Sequence, residues 1–116
     1  MTGRRREAAI QRAVFQHLRA RAAPGLFAFH RGYRKPVEAA IIMKGMGVVA
    51  GVPDVIAICQ GRCYALELKA SGCRATDRQL ATIAALEAAG AFTAVCEGLD
   101  RALACLEAWG LLRGRA

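Results

Sequence analysis

The chain has 116 residues, 55% of them hydrophobic and 22% charged, and a formal net charge of +8 at pH 7. That length supports one domain, residues 1–116, with a modest core, and excludes two independently folding units. No apolar run approaches the roughly 20 residues of a spanning helix, and the five cysteines, with no CxxC pair and no secretory leader, read as reduced thiols of a soluble intracellular protein. Cys59 and Cys63 are too isolated, with no second pair following, to read as a metal site.

The first element is an amphipathic helix over Arg4–Ala22, in which Ile10, Val14 and Leu18 recur every four positions and Glu7 lies on the same stripe. After Pro24-Gly25, LFAFH reads as a short strand and RGYRK as a basic loop. Pro36 suits a first helical turn, and VEAAIIMKGM continues that helix until Gly45, Gly47 and Gly51 break it. VIAIC and CYALELK are central strands joined by a three-residue connection, Gln60-Gly61-Arg62. Thr76 opens the next helix with the capping box TDRQ, and Gly90 ends it. AFTAVC is a further strand, and DRALACLEAW a last helix with Ala102, Leu103, Leu106 and Trp109 inward. Trp109 and the exposed-looking Leu111-Leu112 are a candidate interface, although a Trp at that spacing more often packs in a core. The order αβα, hairpin, αβα specifies a small α/β sandwich with a mixed sheet.

Charge is concentrated at one end. Residues 1–45 hold ten Lys/Arg against two acids, whereas residues 46–116 hold seven against seven. Such a segment suits a polyanion, above all nucleic acid, because neutralising phosphates releases counterions. A solvated basic face in an Arg-rich chain is the plainer alternative.

The hairpin carries the chemistry. Alternation puts Glu67 and Lys69 on one face of their strand, and the turn brings Asp54 to the same edge. Two neighbouring carboxylates resist ionisation unless a cation sits between them. Oxygen ligands select Mg²⁺ or Mn²⁺, which balance charge developing on phosphate oxygens, and an ammonium alongside orients water or stabilises the transition state. These are the parts of a phosphodiester hydrolase. Taken singly, Glu67 with Lys69 is a strand-edge ion pair and Asp54 a turn residue after Pro53. Lysine usage points the same way, since Lys69 is one of three lysines beside 14 arginines.

Pro53-Asp54, a hairpin and Glu67-Leu68-Lys69 resemble the PD-(D/E)XK nuclease signature. With Glu7 on the first helix, PheAlaPheHis before a basic loop, Gly51-Val52-Pro53-Asp54, and Gln79 opening the following helix, the chain resembles the VRR-NUC family of virus-type replication and repair nucleases from about Glu7 to the last helix. The resemblance implies a restriction-endonuclease-like αβββαβ core. It also implies a metal held by Asp54, Glu67 and the Leu68 carbonyl, with Lys69 as catalytic lysine and Glu7 adding a carboxylate at or beside the metal. By itself Glu7 is an acid in a first helical turn. Gln79 either completes the family motif or only caps its helix. His30 reads as a phosphate contact or structural imidazole before a metal ligand or base. Where family members often carry Asn after this His, the chain has Arg31-Gly32-Tyr33.

Short members of the family resemble junction resolvases that act as homodimers, and two antiparallel cuts across a four-way junction need two sites related by a twofold axis. The expectation is a homodimeric, Mg²⁺- or Mn²⁺-dependent Holliday-junction endonuclease in the cytoplasm of a bacterial or phage-infected cell. Arg4, Arg5, Arg6, Arg31, Arg34, Lys35 and Lys44 are the candidate phosphate contacts. The alternatives are a nuclease of flaps, nicks or single strands in a phage or mobile-element replication apparatus, and a DNA-binding module whose hairpin charges are structural.

Overall fold

A computed structural model describes residues 3–32, 45, 47 and 49–114. Helix α1 (Gly3–Arg21) leads into strand β1 (Phe27–Phe29). Strands β2 (Val55–Cys59) and β3 (Arg62–Lys69), helix α2 (Asp77–Ala88), strand β4 (Phe92–Glu97) and helix α3 (Leu99–Ala108) complete the order. The helix expected from Pro36 to Met46 lies outside the described residues.

The four strands form one sheet in the order β1-β2-β3-β4, antiparallel except for the parallel pair β3 and β4, whose crossover is α2. The sheet is therefore mixed, and β2 and β3 are central, as expected. The hairpin turn is one residue shorter than the sequence implied. Cys59 pairs with Arg62, leaving Gln60 and Gly61 in the turn, with φ of 50° and 76°. Two positive φ values define the two-residue turn whose twist matches that of its strands; a glutamine there is an uncommon choice that hides the turn from composition.

Strand alternation sorts the sheet into two faces. On one, Val55, Ala57, Tyr64, Leu66, Leu68 and Cys96 pack with Val14 and Leu18 of α1 and Ala102, Leu103 and Leu106 of α3 to make the core. Glu67, on the other face, meets α2. The five cysteines are free thiols. Cys59 belongs to the core face, whereas Cys63 pairs with Ile58 on the other, so the two do not converge.

The expectation of an exposed Leu111-Leu112 is overturned. They are only 1% and 5% exposed, because the chain end folds back along the end of α1. The Ala23 amide donates to Leu111 O at 2.9 Å, the Arg113 amide donates to Arg21 O at 2.7 Å, and Ala22 bridges to Leu112. Trp109 is half-buried against Tyr64, with ring centroids 5.3 Å apart, so this end helps close the core.

Candidate active site

The register that pairs Val55 with Leu66 places Asp54, one residue earlier, opposite Glu67. Asp54 is fixed from three directions. The Leu68 amide donates to its Oδ2 at 2.9 Å, Arg31 Nη1 lies 3.7 Å from its Oδ1, and His30 Nδ1–H donates to its backbone carbonyl at 2.7 Å. His30 thus ties the end of β1 to the loop that carries the acid. The preceding turn is clamped to α2: Thr82 Oγ1 donates to Ala50 O at 2.6 Å. Gly51, at φ 79°, has no space for a side chain, since a Cβ would sit 2.8 Å from Arg78 O. Neither half of this clamp announces itself as functional in the sequence; the glycine of GVPD is its only trace.

Glu67 is 2% exposed in the middle of β3. Gln79 Nε2 donates to its Oε1 at 3.3 Å, while its Oε2 is buried and receives no hydrogen bond. Burial pushes the carboxyl up to about 8, with the nearby Asp54 adding to the shift and Lys69 and Arg31 opposing it. Gln79 serves two neighbours at once. The Thr76 amide donates to its Oε1 at 2.9 Å and its own amide donates to Thr76 Oγ1 at 3.1 Å, which is the capping box expected. A helix cap thereby aims an amide at a buried acid.

Lys69 ends β3 with its side chain 9% exposed, and its Nζ lies 4.0 Å from Glu7 Oε1. Glu7 Oε2 accepts from the Ala70 amide at 3.5 Å. Glu7 is thus placed as the partner of Lys69. Among the described residues no three His, Cys, Asp or Glu side chains converge as a metal-binding group, so the carboxylates brought together are those of Asp54 and Glu67.

That pair fits a hard dication. Two acids share one buried edge, one oxygen lacks any donor, and the proton that Glu67 retains is what a cation would displace. Of the candidate phosphate contacts, Arg5, Arg6 and Arg31 are exposed. Arg6 Nη1 donates to Ser71 O at 3.4 Å, and Arg31 faces Asp54. The side chain of Arg4, and Arg34, Lys35 and Lys44, lie outside the described residues.

An αβββαβ chain that delivers an aspartate and a Glu-x-Lys to one end of a mixed sheet has the core of the PD-(D/E)XK nucleases. Comparison with solved structures narrows this. A VRR_NUC domain protein superposes with a TM-score of 0.76 at 26% identity, over 90% of this chain and 87% of that one. A second structure, a VRR_NUC domain, agrees in fold with a TM-score of 0.63 at 18% identity, over 88% of this chain and 95% of that one. No family model matches the sequence, and no curated protein matches it. In fold the chain resembles VRR_NUC domains over 88–90% of its length.

Proposed function

We propose that this domain is a divalent-metal-dependent, structure-selective DNA endonuclease, acting as a homodimer on four-way junctions. The observation that carries the metal-dependent reading is Glu67: a buried carboxyl with one oxygen undonated, beside a second carboxylate, is a costly arrangement that a bound dication relieves.

Asp54, Glu67 and the Leu68 carbonyl would hold Mg²⁺ or Mn²⁺, whose charge offsets that developing on the phosphate oxygens. The Leu68 amide keeps Asp54 turned toward Glu67, and Gln79 fixes the rotation of the Glu67 carboxyl. Lys69, held near Glu7, supplies an ammonium that orients the attacking water or stabilises the pentacovalent charge. His30 holds the loop that carries Asp54, and the exposed arginines would seat the backbone of the substrate. Two symmetric cuts require two such sites, hence the dimer.

The test incubates the protein in Mg²⁺ and in Mn²⁺ with labelled four-way junction, flapped and linear duplex DNA, with Lys69→Ala as control. Paired nicks at symmetric positions near the crossover, absent in the variant, are expected. Cutting confined to flaps or single strands would replace the resolvase reading with a replication nuclease. No cutting by folded protein in either metal would return the hairpin charges to a structural role.

A further inference from the structure

Beyond β4, on the side away from β3, lies a surface that none of the residues above uses. Register places Val95 opposite Glu67 and Glu97 opposite Lys69, so β4 runs one strand spacing, about 4.8 Å, from the candidate catalytic residues. A groove of about 300 Å³ opens along it, lined by Arg74, Leu80, Val95, Glu97 and Arg101 among others. Its floor is apolar, with Leu80 48% and Val95 40% exposed, and its charge is cationic at both walls. Arg74 and Arg101 are exposed, and among the described residues neither has a carboxylate within ion-pair distance. Glu97, the one acid in the lining, accepts from the Gly72 amide through Oε2 at 3.4 Å.

The loop forming one wall is also the seat of the basic start of α1. Arg6 Nη1 donates to Ser71 O at 3.4 Å, and a Cβ at Gly3 would lie 3.2 Å from Cys73 Sγ. The arginines of the first turns of α1 and those of the groove therefore border one rim around the end of β3. The groove volume is at the lower end of sites that take small molecules, room for about one nucleotide and far too little for a duplex. No aromatic side chain lines it, so nothing there stacks on a base, and recognition rests on phosphate charge with the apolar floor beneath the sugar.

We propose that this groove carries the backbone of the single DNA strand that runs on from the bond being cut, with Arg74 and Arg101 each contacting a phosphate. The inference deepens the nuclease reading in its flap or single-strand form and rests on it for the path of the strand.

The test measures binding of a fluorescein-labelled single strand, and of a flap with a single-stranded arm, by anisotropy in EDTA so that nothing is cut. Arg74→Ala and Arg101→Ala should each weaken binding about threefold to tenfold and lower the slope of log K against log salt by roughly 0.7. Arg62→Ala, which removes the same charge at the far hairpin turn, should change binding less than twofold, and Glu97→Gln should tighten it slightly. Melting curves confirm that each variant folds. If Arg74→Ala and Arg101→Ala match Arg62→Ala, the groove contributes only bulk charge and the proposal is overturned. The two ideas fail separately: protein that cuts DNA normally without needing these arginines keeps the nuclease reading and loses the groove. Protein that cuts nothing yet loses binding in both variants keeps the groove as a nucleic-acid site and loses the nuclease. Protein that binds no strand loses both.

Discussion

Strand β3 presents two faces that are equally closed to solvent and opposite in chemistry. Leu66 and Leu68 are 1% and 0% exposed in the core beneath α1 and α3; Glu67 and Lys69, alternating with them, are 2% and 7% exposed. Burial of the leucines supplies folding free energy, on the order of 1.5–3 kcal/mol for each side chain. Burial of Glu67 opposes folding, because the carboxyl must either keep its proton or sit ionised without a full set of donors. Depth in a structure therefore says little about contribution until the chemistry of the buried atom is known. The polar face is held in place by its apolar neighbours on the same strand.

The contrast can be broken most sharply at Glu67 and Lys69. Glu67→Gln or Lys69→Ala should lower cleavage by about 10²–10⁴-fold. Glu67→Gln should at the same time raise stability at pH 9, on the order of 1–3 kcal/mol, in thermal or urea unfolding. The sign follows from linkage: a carboxyl whose folded value is raised from 4.5 to about 8 binds its proton more tightly when folded. Its penalty is absent below the unfolded value, grows as pH rises through the window between the two, and is complete above about 8. Loss of stability on Glu67→Gln at pH 9 would refute this account of the polar face.

On the apolar face the reverse holds. Leu68→Ala should cost about 2–5 kcal/mol by cavity formation, and whatever fraction remains folded should still bind metal. Gln79 separates the two roles it plays. Thr76→Ala should cost about 1 kcal/mol of stability with a small effect on cleavage, whereas Gln79→Ala should also weaken Mn²⁺ binding by roughly tenfold, read by calorimetry. Equal metal affinity in the two variants would leave Gln79 a cap alone. Metal binding also depends on pH: Mn²⁺ affinity should rise between pH 6 and 8 as Glu67 gives up its proton, and this slope should vanish in Glu67→Gln.

Local signals carried most of this architecture into the sequence. VIAIC is β2 residue for residue, and TDRQ forms its capping box, because alternation and reciprocal capping act between near neighbours. Asp54, Glu67 and Lys69 were legible for the same reason, since a short turn and a period of two suffice to bring them together. What was illegible depends on distant parts of the chain. Leu111 and Leu112 look exposed until the tail lies along α1, and the approach of Glu7 to Lys69 joins parts of the chain that no local pattern connects. Arg31 is an expected phosphate contact, and its exposed guanidinium also faces Asp54, a neighbour that the sequence does not announce. The pull of Gln79 on Glu67 was hidden behind a capping role sufficient to explain the residue.

The seam between the two chain ends bears on the order in which the molecule comes apart. Asp54 and Glu67 flank a single hairpin, whereas Lys69 meets Glu7 across 62 positions of sequence on a helix whose far end is fastened by the Arg21, Ala22 and Leu112 contacts. Local contacts form early and persist in partial openings, while termini fray first. Amide hydrogen exchange should run slowest along β2 and β3 and faster at the α1–tail seam. On warming, the lysine would lose its orientation while the carboxylate pair endures, leaving a domain that has stopped turning over before it has lost its affinity for metal.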